Sequence, residues 1–312
     1  MIKRFPPVQA TVPTRLTKLA QVAIATTLVL NVWGNPSVAA DPFRSKEARN
    51  IGNNTEAAFN AIFQKGDYKA AENYLQQALS KEPNEPLAYA MKASLAYTNK
   101  DWASLETYSK KTLEIAQKLT SSDPLRGNLY TAVGHFLEGA VIMQREGTVS
   151  AAPKALGRLR EIYKHLEQAE AVAANDAELN LLKGYMDLML AVNLPFASPE
   201  QAIERLEKNA GPQYLVNRGI ALAYRDLKRY DRALEYAERA LKMTPDNPEL
   251  YYLKAQIQRG MAKKDKNQQM MQEAVNNFDK ALTKQAQLPA GLVKQIQRER
   301  RLTVRDIAKA QR

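Results

Sequence analysis

The chain of 312 residues has no cysteine and only two histidines. Without a thiol there is no disulfide, no thiolate metal centre, no cysteine nucleophile and no lipid-modified N-terminal cysteine. The lack of an unpaired thiol fits an oxidising compartment without requiring one. Glycine and proline are not enriched, which excludes collagen-like and low-complexity chains. There is no Gly-rich phosphate loop, no Gly-x-Ser-x-Gly elbow and no His-Glu-x-x-His stretch. Ser and Asp are available, but no third group accompanies them at a usable spacing. No catalytic residue and no cofactor are assigned, and the chain reads as a non-enzyme. No run of alternating β-branched residues is long enough for a strand.

What is present favours helix. Ala, Leu, Gln, Lys and Glu dominate, and 45% of residues are hydrophobic, enough for a sizeable core. The N-terminus carries Lys3, Arg4, Arg15 and Lys18 with no acid before Asp41. An apolar stretch over 19–33 follows, then small residues ending in Val38 and Ala40. That order predicts a secretory signal over 1–40, cleaved after Ala40. The apolar stretch is shorter than the about 20 residues a spanning helix needs. The predicted location is the periplasm, with the thylakoid lumen or an uncleaved inner-membrane anchor as alternatives. Removing 1–40 lowers the net charge from +12 to +8. Residues 294–312 alone carry +5, so the basicity is concentrated at one end.

After a polar segment over 41–54, read as a linker, apolar residues recur at three- and four-residue spacing. Glu85-Pro86, Asp123-Pro124, Ser198-Pro199 and Asn247-Pro248 mark helix starts, because proline fits the first turn, where its missing N–H has no acceptor to lose. Asp123, Ser198 and Asn247 can cap those starts, and Ser198 to Gln201 has the form of a capping box. The helices are short and come in pairs, which makes antiparallel hairpins. Tyr68, Ala71, Ala78 and Pro83 recur at the same spacing as Tyr230, Ala233, Ala240 and Pro245. Small residues seven apart lie on one helix face and let a neighbour approach closely.

These residues resemble the tetratricopeptide repeat, a hairpin of about 34 residues. Gly66, Leu75 and Leu79 complete the first match; Tyr224 and Leu241 complete that near 214–247. The resemblance covers residues 52–287 and is weakest in the middle, where 146–153 and 193–200 depart from the turn pattern. It implies an all-α superhelix of αα-hairpins. Five to six hairpins occupy 55–290, and a basic helix over 291–312 caps the last one. The general look is similar to exported proteins of this family from Gram-negative bacteria, cyanobacteria included.

The resemblance implies a scaffold that binds a protein or peptide segment along the groove lined by the first helix of each hairpin. Asn60 stands where some members clamp a carboxylate, but Glu56 replaces the expected Lys, so that clamp is broken. Tyr185, Leu188 and Met189 are candidates for an apolar groove wall, on a helix that otherwise reads as buried. Arg218 and Arg225, seven apart, are candidates for a basic strip or for a solvated face. Arg298, Arg300, Arg301, Arg305 and Lys309 form a basic patch on the last helix. It reads as the solvated face of a cap, or as a surface for anionic lipid or an acidic partner; nucleic acid is not expected of an exported chain. His135-x-x-Glu138 and Glu161-x-x-x-His165 each share a helix face. The plain reading is unrelated polar residues and no metal; the alternative is a divalent metal held between facing helices.

Overall fold

The computed structural model describes residues 41–44, 47–193 and 198–310. The predicted signal lies outside these. The described residues hold thirteen α-helices and no strand. Six hairpins follow in order. They are α1 (Asn53–Phe59, continued by a π-helical turn to Gln64) with α2 (Tyr68–Lys81), and α3 (Pro86–Thr98) with α4 (Trp102–Leu119). Next come α5 (Pro124–Glu146) with α6 (Thr148–Val172), and α7 (Ala177–Asn193) with α8 (Pro199–Asn209). The last two are α9 (Gln213–Asp226) with α10 (Tyr230–Met243), and α11 (Pro248–Asp265) with α12 (Gln268–Leu282). A 3-10 turn at Gln285–Gln287 leads to the final helix α13 (Ala290–Ala310). No described helix is long and apolar enough to cross a membrane.

Local chemistry explains the starts. Prolines 86, 124, 199 and 248 each open a helix. Asp123 accepts the amide of Arg126 at 3.0 Å, and Asn247 accepts that of Glu249 at 2.9 Å. Ser198 caps α8 through the amide of Glu200, and its hydroxyl donates to the Glu200 carboxylate at 2.6 Å. Two irregular places resolve differently from the sequence pattern. The stretch 146–153 is not a linker: the turn is confined to Gly147, at φ +76°, and α6 runs through Pro153. That proline forfeits one bond, near the helix start. At 260–269, where the sequence holds more residues than the repeat period allows, α11 is lengthened and the chain turns at Lys266 in the left-handed region.

The repeat alanines do what their spacing implies. Ala71, Leu75 and Ala78 of α2 and Ala233, Ala237 and Ala240 of α10 are fully buried. Each second helix packs on its own first helix and on the first helix of the next hairpin, and α1 meets α3, α3 meets α5, α7 meets α9 and α9 meets α11. One hairpin leaves an apolar face that only a neighbour covers, and each large side chain so buried contributes about 1.5–3 kcal/mol. The result is an all-α superhelix. Over the last hairpin α13 lays Ile296 and Thr303, both fully buried, with Leu292 and Val293 against Tyr252 and Phe278. Val304 lies on the outer side, 41% exposed.

The array also meets itself. Gly66, at φ +66°, sits so close to Asn247 and Pro248 that a Cβ would come within 2.7 Å of both. Asn247 Nδ2 donates to the Phe63 carbonyl at 3.0 Å, across 184 residues of chain. Helix α2 touches the 285–287 turn, and Tyr68 packs against both the main core and the C-terminal cluster. Residues 41–44 and 47–52 form no helix but are tied in. Phe43 and Ile51 are buried, and the Phe43 ring meets Phe59 edge-on at 4.9 Å.

Candidate functional site

The N-terminal ends of α3, α5 and α7 share a buried cluster of charges. Arg126 of α5 donates to both oxygens of Glu85, at 2.7 and 2.9 Å, and to Glu178 at 3.1 Å. Tyr130 donates its hydroxyl to Glu178 at 2.5 Å. Arg49 bridges Glu178 and Asp176, both at 2.8 Å, and Arg44 pairs with Asp176. Glu178 is completely buried. Burial pushes its carboxyl above the usual range despite Arg126, Tyr130 and Arg49. For Arg126, burial opposes the charge, but Glu178 and Glu85 outweigh it and hold the guanidinium cationic. None of these residues is marked in the sequence as more than a cap or a surface charge. They come from four separate stretches of chain, and only the superhelix brings them together.

The candidate groove residues lie on α7, on α9 and in the turn that continues α1. The Tyr185 hydroxyl donates to the Leu215 carbonyl at 2.6 Å, and its ring rests on α9 where Gly219 leaves no Cβ in the way. Burial pushes its pKa up to about 12. Arg218 forms an ion pair with Glu249, whose other neighbour is Tyr68. Burial works against the Arg218 charge, but Glu249, Tyr68 and Tyr185 raise its pKa. Arg225 donates to Gln256 at 2.7 Å and pairs with Asp226 at 2.7 Å. Leu188 is buried, Met189 is 41% exposed, and Asn60 is half-buried in the π-helical turn. The polar groups of Tyr185, Arg218 and Arg225 thus all have partners within the chain.

On α13 the cations are arranged differently. Arg300 pairs with Asp279. Lys294, Arg298, Arg301, Arg305 and Lys309 are all exposed and make no ion pair or hydrogen bond among the described residues. Their spacings of three and four place them in one stripe along the helix. At 1.5 Å per residue the stripe from Lys294 to Lys309 is about 22 Å long. The packed side of the helix holds its acids instead: Glu299 accepts Tyr252 at 2.6 Å, and Asp306 meets Lys263 at 3.0 Å.

The histidines face each other across the third hairpin, their ring centroids 5.8 Å apart. His135 lies on α5 and His165 on α6. Glu138 binds the His135 ring at 3.1 Å and also meets Arg158. The hydrogen bond from His135 holds the Glu138 carboxyl below its ordinary value. Burial and the neighbouring His135 hold the His165 pKa down. Glu161 completes a trio with the two rings. A cleft of about 780 Å³ is bordered by α6, α7 and α8 and lined by polar groups that include Glu170, Asp187 and Arg205.

Residues 56–104 and 216–257 match models of the tetratricopeptide repeat. They span the first and fifth hairpins and the start of the one after each. Within those two segments the chain is similar to the tetratricopeptide repeat. No curated protein sequence shows a significant match to this chain. Among solved structures, TTC0263, a thermophilic TPR protein of Thermus thermophilus, is 20% identical with a TM-score of 0.46; the match covers 66% of this chain and 97% of that one. Human IFIT1, solved as a dimer with m7Gppp-AAAA, is 17% identical with a TM-score of 0.45, over 93% of this chain and 64% of that one.

Proposed function

We propose that the chain is a non-enzymatic scaffold, exported across a membrane, that docks an acidic segment of a partner protein on the basic stripe of α13. The observation that carries this reading is the contrast between two sets of cations. Those of α5 and α9 are engaged: Arg126, Arg218 and Arg225 each have carboxylate or amide partners in the chain. Those at 294, 298, 301, 305 and 309 are exposed and unpaired among the described residues. An array of repeats is a rigid support for such a face. An extended acidic segment of about seven residues matches the stripe's length at about 3.3 Å per residue. Export rests on the order of charge, apolar stretch and small residues over 1–40.

The test is fluorescence anisotropy of the full chain with a labelled poly-glutamate peptide, at low and physiological salt. The expected result is salt-sensitive binding that Arg298→Glu with Arg301→Glu and Arg305→Glu abolishes, while the helical spectrum is retained. Undiminished binding by that variant refutes the stripe. Binding to anionic phospholipid vesicles, or to single-stranded RNA, in place of the peptide refutes a protein partner. N-terminal sequencing of the protein from cells tests export; an intact Met1 refutes cleavage after Ala40.

A further inference from the structure

We infer that His135, Glu161 and His165 form a binding site for a divalent first-row transition-metal ion, with Zn²⁺ the probe that tests it. The site is separate from the docking stripe and does not depend on it.

One ring nitrogen of each histidine and one carboxylate oxygen of Glu161 lie within 4.8 Å of one another. Tetrahedral zinc, with bonds of about 2.0–2.1 Å, holds its ligand atoms about 3.4 Å apart, so closing on an ion needs side-chain shifts of roughly 1 Å. Two histidines and a carboxylate on facing helices is a set that zinc takes with a fourth position left to water or an outside donor. Two nitrogen donors of three select zinc, nickel or copper over magnesium and calcium, which take oxygen sets.

The second layer is what separates this trio from a chance cluster. Asn128 donates its Nδ2 to the Pro124 carbonyl at 2.8 Å, which fixes the amide and turns Oδ1 toward His165. That oxygen lies 2.9 Å from His165 Nδ1. On the other ring, Glu138 Oε2 lies 3.1 Å from His135 Nδ1. Neither oxygen has a hydrogen to give, so each Nδ1 carries the proton and donates it. Each Nε2 is then left with the lone pair that a metal takes; the Gln168 side chain also lies within hydrogen-bond reach of the His165 ring and is a partner an ion would replace. Metal-binding histidines are oriented by this same pairing of the other ring nitrogen with a carboxylate or carbonyl. Here both rings have it, from two different residues, before any ion is considered. Lys164, whose Nζ lies 3.4 Å from Glu161 Oε2, is the cation an ion would displace. His135 is buried while Glu161 and His165 are half-exposed, which gives an ion a path from solvent. A bound ion would tie α5 to α6 within one hairpin.

The experiment is calorimetric titration of Zn²⁺ into the chelator-treated full chain, with histidine-ring nitrogen NMR on the same sample. The expected result is one ion per chain with micromolar or tighter affinity, a large shift of Nε2 on both rings, and retention of both Nδ1 protons. His165→Ala and Glu161→Gln weaken binding at least tenfold. Asn128→Leu, which touches no ion, weakens it about 10- to 100-fold, as loss of an orienting partner does. No saturable binding by the unmodified chain at micromolar Zn²⁺ overturns the inference. So does binding that leaves both rings unperturbed, a readout that needs no variant to fold.

Discussion

Replacing Arg126 by Met tests whether the buried charge cluster is held together as described. Arg126 is 5% exposed, and Met fills much of the same volume without the charge. The substitution strips Glu178 and Glu85 of a shared partner. Breaking a buried pair by removing one member costs about 3–5 kcal/mol, because the remaining charge is left in a medium that does not solvate it. Two features set the expectation at the lower end, about 3 kcal/mol: Glu178 keeps Arg49 and Tyr130, and Glu85 keeps the amide of Leu87 at 3.0 Å. For a domain of this size that is a fall in Tm of roughly 6–12 °C. The pH dependence is the sharper part. The folded-state pKa of Glu178 is already raised by burial, and loss of Arg126 raises it further. A folded carboxyl that holds its proton more tightly than the unfolded one gives stability at low pH that is lost as pH rises through the folded value. The deficit of Arg126→Met against the parent, from urea unfolding followed by circular dichroism, is therefore larger near about pH 8 than near about pH 5. Adding Glu178→Gln restores part of it. A deficit below about 1 kcal/mol, or one equal at both pH values, refutes the reasoning.

Three further outcomes are expected. Ala71→Glu or Ala233→Glu places a charge where the parent residue is fully buried and lowers stability by more than about 2 kcal/mol, read by thermal unfolding. Glu82 accepts the amides of Asn54 and Thr55 at 2.8 and 2.9 Å and so caps α1 from the end of α2. Burial opposes its charge, but the bonds from Thr55 and Asn54 outweigh it and hold the carboxyl below its usual range. Glu82→Gln thus lowers stability by about 1 kcal/mol at neutral pH, and the gap to the parent closes as acid protonates Glu82 below about pH 4. Asn247→Ala removes a helix cap and the bond to Phe63 together. Amide exchange is expected to quicken both at the start of α11 and around residues 60–66, although the bonded pair is 184 residues apart in the chain; quickening at α11 alone contradicts the contact.

How far the sequence reveals this molecule follows from the range of each interaction. The helix starts at residues 86, 124, 199 and 248 are legible because proline and its preceding cap act within one turn. The buried alanines of α2 and α10 are legible because helical period and small size act within two turns. The turn at Gly147 is harder to place, since Pro153 reads as a boundary and sits inside a helix. On α13 the apolar spacing sets Val293, Ile296, Val304 and Ile307 on one side of a charged helix, yet Val304 is 41% exposed. The inner stripe runs through Ile296 and Thr303, and a polar threonine takes a place that hydropathy alone gives to valine. The pairs His135 with Glu138 and Glu161 with His165 are legible as pairs, and only the hairpin packing sets them face to face.

The charges are where local reasoning stops. Arg126 and Arg301 are indistinguishable as letters, each an arginine on an amphipathic helix. One is buried among Glu85, Glu178 and Tyr130, and the other is exposed with no ion pair among the described residues. What separates them is how far along the chain their acids lie. The partners of Arg126 lie 41 and 52 residues away, about one to one and a half repeats, a distance at which only the superhelix decides who meets whom. Among the described residues no hairpin follows α13 to supply such acids. Its inner side meets α12, where Asp279 pairs with Arg300, and α11, whose Lys263 and Arg259 pair with Asp306; its outer side has nothing beyond it within the described residues. An arginine stripe there keeps its full charge and hydration until another molecule brings the carboxylates. The same logic that buries charge inside the array therefore leaves charge available at its end.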